Sequence, residues 1–118
     1  MQEMSPELSL RDILAAIEHI ERKLEGISLN DFLTDLDRRR IVERCLEIVC
    51  EASRRLPEIV KERHPAIPWR KVAGIGNILR HDYEEVIPDA LWKLAHNDLP
   101  VLAAACRAEL EKLGRGAA

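Results

Sequence analysis

The stretch GIGNILRHDYEEV, Gly74 to Val86, gathers an amide, a guanidinium, an imidazole and the single tyrosine of the chain within two helical turns: Asn77, Arg80, His81 and Tyr83. Histidine is the side chain whose unperturbed pKa lets it both take and give a proton near neutrality. An arginine beside it can stabilise the charge that develops on a phosphoryl group. Together these are parts that a metal-independent ribonuclease needs: a base for the 2′-hydroxyl, an acid for the leaving 5′-oxygen and a cation for the phosphorane. The same residues also suit the charged end of a surface helix, and one His beside one Arg does not decide between the two. A metal site fits less well. His81, Asp82, Glu84 and Glu85 crowd together, but no second histidine lies one turn away to complete a recognised ligand pattern.

The periodicity of the chain says which elements must carry these residues. Leu10, Ile13, Leu14, Ile17, Ile20 and Leu24 recur at three- and four-residue steps and predict a first helix, with a capping box at Ser9 and Asp12 and an end at Gly26. Asn30 and Asp35 are candidate caps for a short turn and for a longer helix starting near Asp37. That second helix carries Ile41, Cys45, Ile48, Val49, Ala52, Leu56, Ile59 and Val60, and Pro57 should kink or interrupt it. RHPAIPW is the clearest break, after which a third helix starts near Pro68 or Trp69 with Val72, Ile75, Leu79 and Val86 as its apolar stripe. Pro88 opens a fourth segment, in which Leu91, Ala95, Leu102, Cys106, Leu110 and Leu113 keep the period and Pro100 should add a kink. No two-residue alternation appears. The expected fold is therefore all-α: one domain over residues 1–118, an antiparallel bundle of four main helices with a possible short fifth, frayed over 1–8 and 114–118.

On the third helix Asn77, His81 and Glu84 fall within about 60° of one another, on the side opposite the apolar stripe. Arg70 and Gly74 extend this polar stripe backward. Gly74 and Gly76 each cost a helix about 1 kcal/mol relative to alanine, which is easiest to understand if another backbone or a ligand approaches closely there.

Composition narrows the remaining classes. With 118 residues, 47% hydrophobic and 33% charged, the chain is globular and small enough for dimerisation to help it. Its net charge of −3 leaves nucleic-acid contact to local basic patches such as DRRRIVER (Asp37 to Arg44) and PWRKV (Pro68 to Val72), where Arg70 and Lys71 are the candidate RNA contacts. Taken alone, each run reads as a solvated helix face. Cys45, Cys50 and Cys106, odd in number and without CxxC spacing, are expected to be buried, reduced thiols. The N-terminus lacks a basic segment followed by an apolar run, and no stretch is long and apolar enough for the bilayer, so a cytoplasmic protein with no membrane partner is expected. His19, His64 and His96 read as surface or structural residues. Trp69 and Trp92 read as ring contacts at the edge of the core, Trp69 being the better placed to touch RNA.

The run CLEIVCEASRRLPEIVKERHPAIPWRKVAGIGNILRHDYEEV, followed by LWKLAHNDLPVL, resembles the HepT-like family, small helical proteins of the HEPN ribonuclease group encoded beside a minimal nucleotidyltransferase, MntA. The resemblance extends from about Leu10 to Leu110 and is most specific over PWRKVAGIGN and HDY. It implies a helical bundle that dimerises around a cleft, RNA as substrate, no cofactor, and a motif of Arg, four to six residues, His, any residue, Tyr. His81 and Tyr83 match that motif, and Asn77 matches the polar residue after the arginine. Gly76, Ile75 and Gly74 occupy the positions where the arginine would stand. Arg80 is one turn from Gly76, rotated by about 40° and displaced by roughly 6 Å along the axis, a gap its side chain can span. Either Arg80 returns a guanidinium to the cleft, or the arginine is gone and the chain binds RNA without cleaving it efficiently. The resemblance further implies that the partner transfers AMP to Tyr83 and so blocks the ribonuclease. The reading is thus the toxin of a toxin–antitoxin pair, with His81, Arg80 and Asn77 catalytic. The alternative is a non-catalytic subunit that presents substrate or nucleotide to a nucleotidyltransferase.

Overall fold

Leu10, Ile13, Ile17, Ile20 and Leu24 are all buried on one face of helix α1 (Glu7–Leu24), as their spacing requires. Burying each such side chain stabilises the fold by about 2 kcal/mol, and this stripe makes α1 the central element. The computed structural model describes the backbone of residues 5–81 and 86–116 and the side chains of 5–80 and 88–115. Among the described residues there are helices and no strands: α1 is followed by α2 (Leu29–Thr34), α3 (Leu36–Arg54), α4 (Glu58–Glu62), α5 (Trp69–Ala73), α6 (Ile75–His81), α7 (Val86–Asn97) and α8 (Leu99–Gly116). Helices α3 and α8 both pack against α1. The short helices α5 and α6 lie against α3, α7 lies against α8, and α2 bridges α3 and α7. The all-α bundle expected from the periodicity is what forms.

Local chemistry explains most boundaries and corrects several expected ones. Helix α1 starts at Glu7 behind Pro6, and the Ser9–Asp12 capping box does not form. A proline is tolerated there because the first turn of a helix has no use for its missing N–H. The capping box belongs to α2 instead: Ser28 Oγ accepts from Asp31 N at 3.1 Å, and Asp31 Oδ2 accepts from Ser28 N at 3.0 Å. Asn30 lies inside that helix rather than capping it. Asp35 caps α3 as expected, accepting from Arg38 N at 3.0 Å. After Leu24 the chain leaves α1 through Gly26 at φ 73°, the left-handed region where a side chain would be strained. Pro57 does interrupt the second long helix, separating α3 from α4, and because the chain restarts there Val60 is buried while Ile59, expected on the same core stripe, is exposed.

The expected third and fourth helices are each divided. The segment from Trp69 breaks at Gly74 into α5 and α6 instead of running on as one helix. The last segment starts at Val86, two residues ahead of Pro88, and is split by a turn at Asp98, so that Pro100 falls in the first turn of α8 rather than kinking a longer helix. Hydrogen bonds from Asp98 N to Leu94 O and from Leu102 N to Asp98 O carry the chain through that turn. Helix α8 extends to Gly116. None of the helices is long and apolar enough to cross a membrane among the described residues.

Candidate functional site

The break at Gly74 builds the site. Where a helix stops, its last carbonyls lose their in-helix donors and must find others. Ala73 O finds them on α3: Arg54 donates from Nη2 at 2.7 Å and from Nε at 3.2 Å, and the Cys50 thiol lies 3.2 Å away. The two donors are one helical turn apart on α3, so a single face of that helix pins the α5–α6 junction and sets the direction in which α6 departs. At Gly74 an added Cβ would lie 3.3 Å from Arg70 O, a contact with backbone that cannot give way easily.

Helix α6 then starts with Ile75 buried in the core and Gly76 buried beside it. A Cβ on Gly76 would lie 3.2 Å from Arg80 Nη1, 3.7 Å from Arg80 Nη2 and 3.3 Å from Cys50 Sγ. The guanidinium of Arg80 is therefore folded back by one turn over the bare glycine. Its Nη2 donates to Asn77 Oδ1 at 3.0 Å, which holds the planar group on that spot. Asn77 and Arg80 are both exposed. The close approach expected at the glycines is met at Gly76 by this side chain and by Cys50, whereas Gly74 meets only the carbonyls of its own preceding turn.

His81 is the last residue of α6, directly after Arg80, and its backbone continues the same helix. The His81 side chain, together with Asp82, Tyr83, Glu84 and Glu85, lies outside the described residues.

The two candidate RNA contacts on α5 differ. Lys71 Nζ is 2.7 Å from Asp98 Oδ2, an ion pair that ties α5 to the α7–α8 turn. Arg70 is exposed and borders a shallow depression that it shares with Glu58, Lys61, Glu62, Trp69 and Ala73. Trp69 donates its indole N–H to both Lys61 O and His64 O at 3.1 Å, so the ring is held in place by the connection between α4 and α5. Trp92 packs against Phe32 and His96, with ring centroids 5.7 and 4.2 Å away. The basic run on α3 is largely paired: Arg38 with Asp35, Arg40 with Glu43 and Arg44 with Glu47. Arg40 and Arg44 behave as the solvated face that the composition suggests, while Arg38 and Arg39 are half-buried and Arg38 donates from Nη1 to Lys23 O on α1.

One polar cluster was not expected at all. Glu109 on α8 is 5% exposed, and its carboxylate accepts from Arg63 Nη2 at 2.8 Å, from Arg63 Nε at 3.1 Å and pairs with His64 Nε2 at 2.7 Å. The Arg63 hydrogen bonds outweigh the cost of burial and hold this carboxyl down at about 2. His64 is thereby a structural residue, as its sequence context suggested. His19 has a comparable place, with Nδ1 3.6 Å from Cys45 Sγ. All three cysteines are buried and free. Burial raises the Cys45 thiol and pushes Cys106 up to about 12, which keeps both protonated and unreactive at neutral pH.

Residues 13–109 match the family model described as Ribonuclease HepT-like. A protein named a probable ribonuclease HepT in Thermococcus cleftensis is 41% identical over 104 residues, covering 88% of this chain and 91% of that protein. A protein named as a candidate RNase in Caldanaerobacter subterraneus subsp. tengcongensis is 32% identical over 108 residues, 92% of this chain and 96% of its own. Another so named, in Methanocaldococcus jannaschii, is 35% identical over 91 residues, 77% of this chain and 84% of its own. No solved structure matches the chain at a significant level.

Proposed function

Because the chain belongs to the HepT-like ribonuclease family, we propose that it is the toxin of a toxin–antitoxin pair, a cytoplasmic, homodimeric endoribonuclease that needs no metal. The observation that carries this reading is the guanidinium of Arg80 lying over Gly76, held by Asn77 and one residue from His81. That contact supports Arg80 as the stand-in for the motif arginine, which Gly76 cannot supply.

In the proposed reaction the 2′-oxygen of a ribose attacks the adjacent phosphorus while the bond from phosphorus to the 5′-oxygen breaks. A base takes the 2′-hydroxyl proton and an acid returns one to the leaving 5′-oxygen, so protons balance over the cycle. His81 is assigned to this proton transfer, and a dimer supplies a second copy for the opposite role. Arg80 neutralises the charge that gathers on the non-bridging oxygens, with Asn77 keeping its plane fixed. Arg70 contributes a flanking RNA contact, and Lys71 another once its pair with Asp98 opens. The partner is a nucleotidyltransferase of the MntA type, which transfers AMP to Tyr83. An added adenylate beside His81 and Arg80 brings negative charge to the surface that must attract phosphate, and so shuts the nuclease off.

The test is cleavage of RNA by the purified full-length protein in the presence of a chelator. His81→Ala and Arg80→Ala should each lower the rate by about 100-fold or more. Cleavage that survives His81→Ala would refute its assignment. Mass spectrometry after incubation with the partner and ATP should find AMP on Tyr83, and modification confined to other residues would remove that role.

A further inference from the structure

Away from α6, Arg63, His64, Ala108, Glu109, Lys112 and Arg115 enclose an open depression of about 450 Å³. Three full cations line it against one carboxylate, in a chain whose overall charge is negative. The carboxylate is already satisfied. Glu109 is consumed by Arg63 and His64, and the pairing uses only Nε and Nη2 of the guanidinium, leaving Nη1 outside it on a side chain that is 37% exposed.

A buried carboxylate that fixes an arginine from behind is how a guanidinium is ordered before any ligand arrives. Lys112 lies one turn beyond Ala108 on α8 and Arg115 one turn further, so both cations project from the same face of the helix around the small Ala108 side chain. Cations in the last turns of a helix also offset its dipole, which accounts for Lys112 and Arg115 singly. It does not account for their sharing a depression with an arginine and an imidazole held by a buried acid. Arg115 Nη2 is 2.6 Å from Glu111 Oε1, an exposed pair that a stronger anion can displace.

We infer that this depression binds a phosphate group, with Arg63 as the fixed cation and Lys112 and Arg115 as the mobile ones. The phosphate is that of an RNA strand or of a free nucleotide, two sources with the same chemistry. Only the choice of RNA as the first probe rests on the function proposed above. The site itself does not require cleavage.

The experiment uses the full chain and a labelled 2′-O-methyl RNA, which cannot be cleaved through its 2′-oxygen, with ATP as the second probe. In the double variant Lys112→Glu and Arg115→Glu, both positions are exposed, so the fold should be kept and circular dichroism can verify it. RNA affinity at low salt should fall about tenfold, and the slope of log affinity against log salt should shrink by about 0.7 for each phosphate that is no longer neutralised. Weaker RNA binding with ATP unaffected identifies a strand phosphate, and the reverse identifies a free nucleotide. Unchanged binding of both probes overturns the inference. So does an equal weakening from Arg11→Glu with Lys93→Glu, exposed cations on α1 and α7 that serve as the control for net charge. Failure of the wild type to cleave unmodified RNA, with this binding intact, would count against the proposed function and leave the phosphate site standing.

Discussion

Replacing Glu109 by glutamine tests the best-defined polar interaction in the protein. Glutamine keeps the shape and one acceptor oxygen but removes the charge, leaving Arg63 without its counterion in a partly buried position. The size of the effect follows from the carboxyl itself, which the Arg63 hydrogen bonds take from its ordinary 4.5 down to about 2. That difference corresponds to about 3 kcal/mol of stability at neutral pH, in line with breaking one side of a buried, hydrogen-bonded ion pair. For a chain of this size the melting temperature should fall by about 10 °C.

The pH dependence has a definite sign. The folded-state pKa lies below the unfolded one, so between the two values the unfolded chain holds more protons. The stabilisation is then complete above about pH 4.5 and is lost as the pH falls through about 2. Urea titrations followed by circular dichroism should therefore show the gap between wild type and Glu109→Gln at its widest near neutrality and narrowing steadily below about pH 4.5. A destabilisation under about 1 kcal/mol would mean that the pair behaves as an exposed one. A gap that does not narrow in acid would refute the assignment of the effect to the Glu109 charge.

Two more outcomes follow from the α5–α6 junction. Gly76→Ala places a methyl group 3.2 Å from Arg80 Nη1 and 3.3 Å from Cys50 Sγ; the guanidinium should be displaced and RNA cleavage should fall by about tenfold or more, while the helical preference for alanine keeps the change in stability within about 1 kcal/mol. Unaltered cleavage would separate Arg80's position from activity. Arg54→Ala removes two of the donors to Ala73 O and should cost about 1–2 kcal/mol in a urea titration, with faster hydrogen exchange at the Asn77 and Ile78 amides that α6 protects. Exchange rates unchanged at those amides would show that the junction is held by Cys50 and packing alone.

Most of the α1 stripe and of the stripe through α7 and α8, the Asp35 cap, the exit at Gly26, the interruption at Pro57 and the buried state of the thiols were legible in the order of residue types, whereas on α3 the fully buried Val42 and Leu46 were not on the expected stripe. They depend on the geometry of one helix and on hydrogen bonds between residues a few positions apart, so the spacing of residue types already contains them. Arg80 comes within reach of Gly76 for the same reason, because both sit on one helix a single turn apart.

Other features wait on the packing of distant segments. The break at Gly74 depends on Ala73 O finding Arg54 and Cys50, which are 19 and 23 residues away in the chain. Lys71 is in an ion pair rather than free because the α7–α8 turn brings Asp98 to it. The one clue to the buried cluster was Glu109 standing in register with Leu102 and Cys106 on the core stripe of α8, since an ionisable group there must be paired. Periodicity shows that such a partner is needed but not which one. Arg63 and His64, 46 and 45 residues earlier, fill the role only because the segment after α4 is laid against α8. A polar side chain's partner is chosen by which helices end up side by side, and that is a property of the packed core rather than of any one segment.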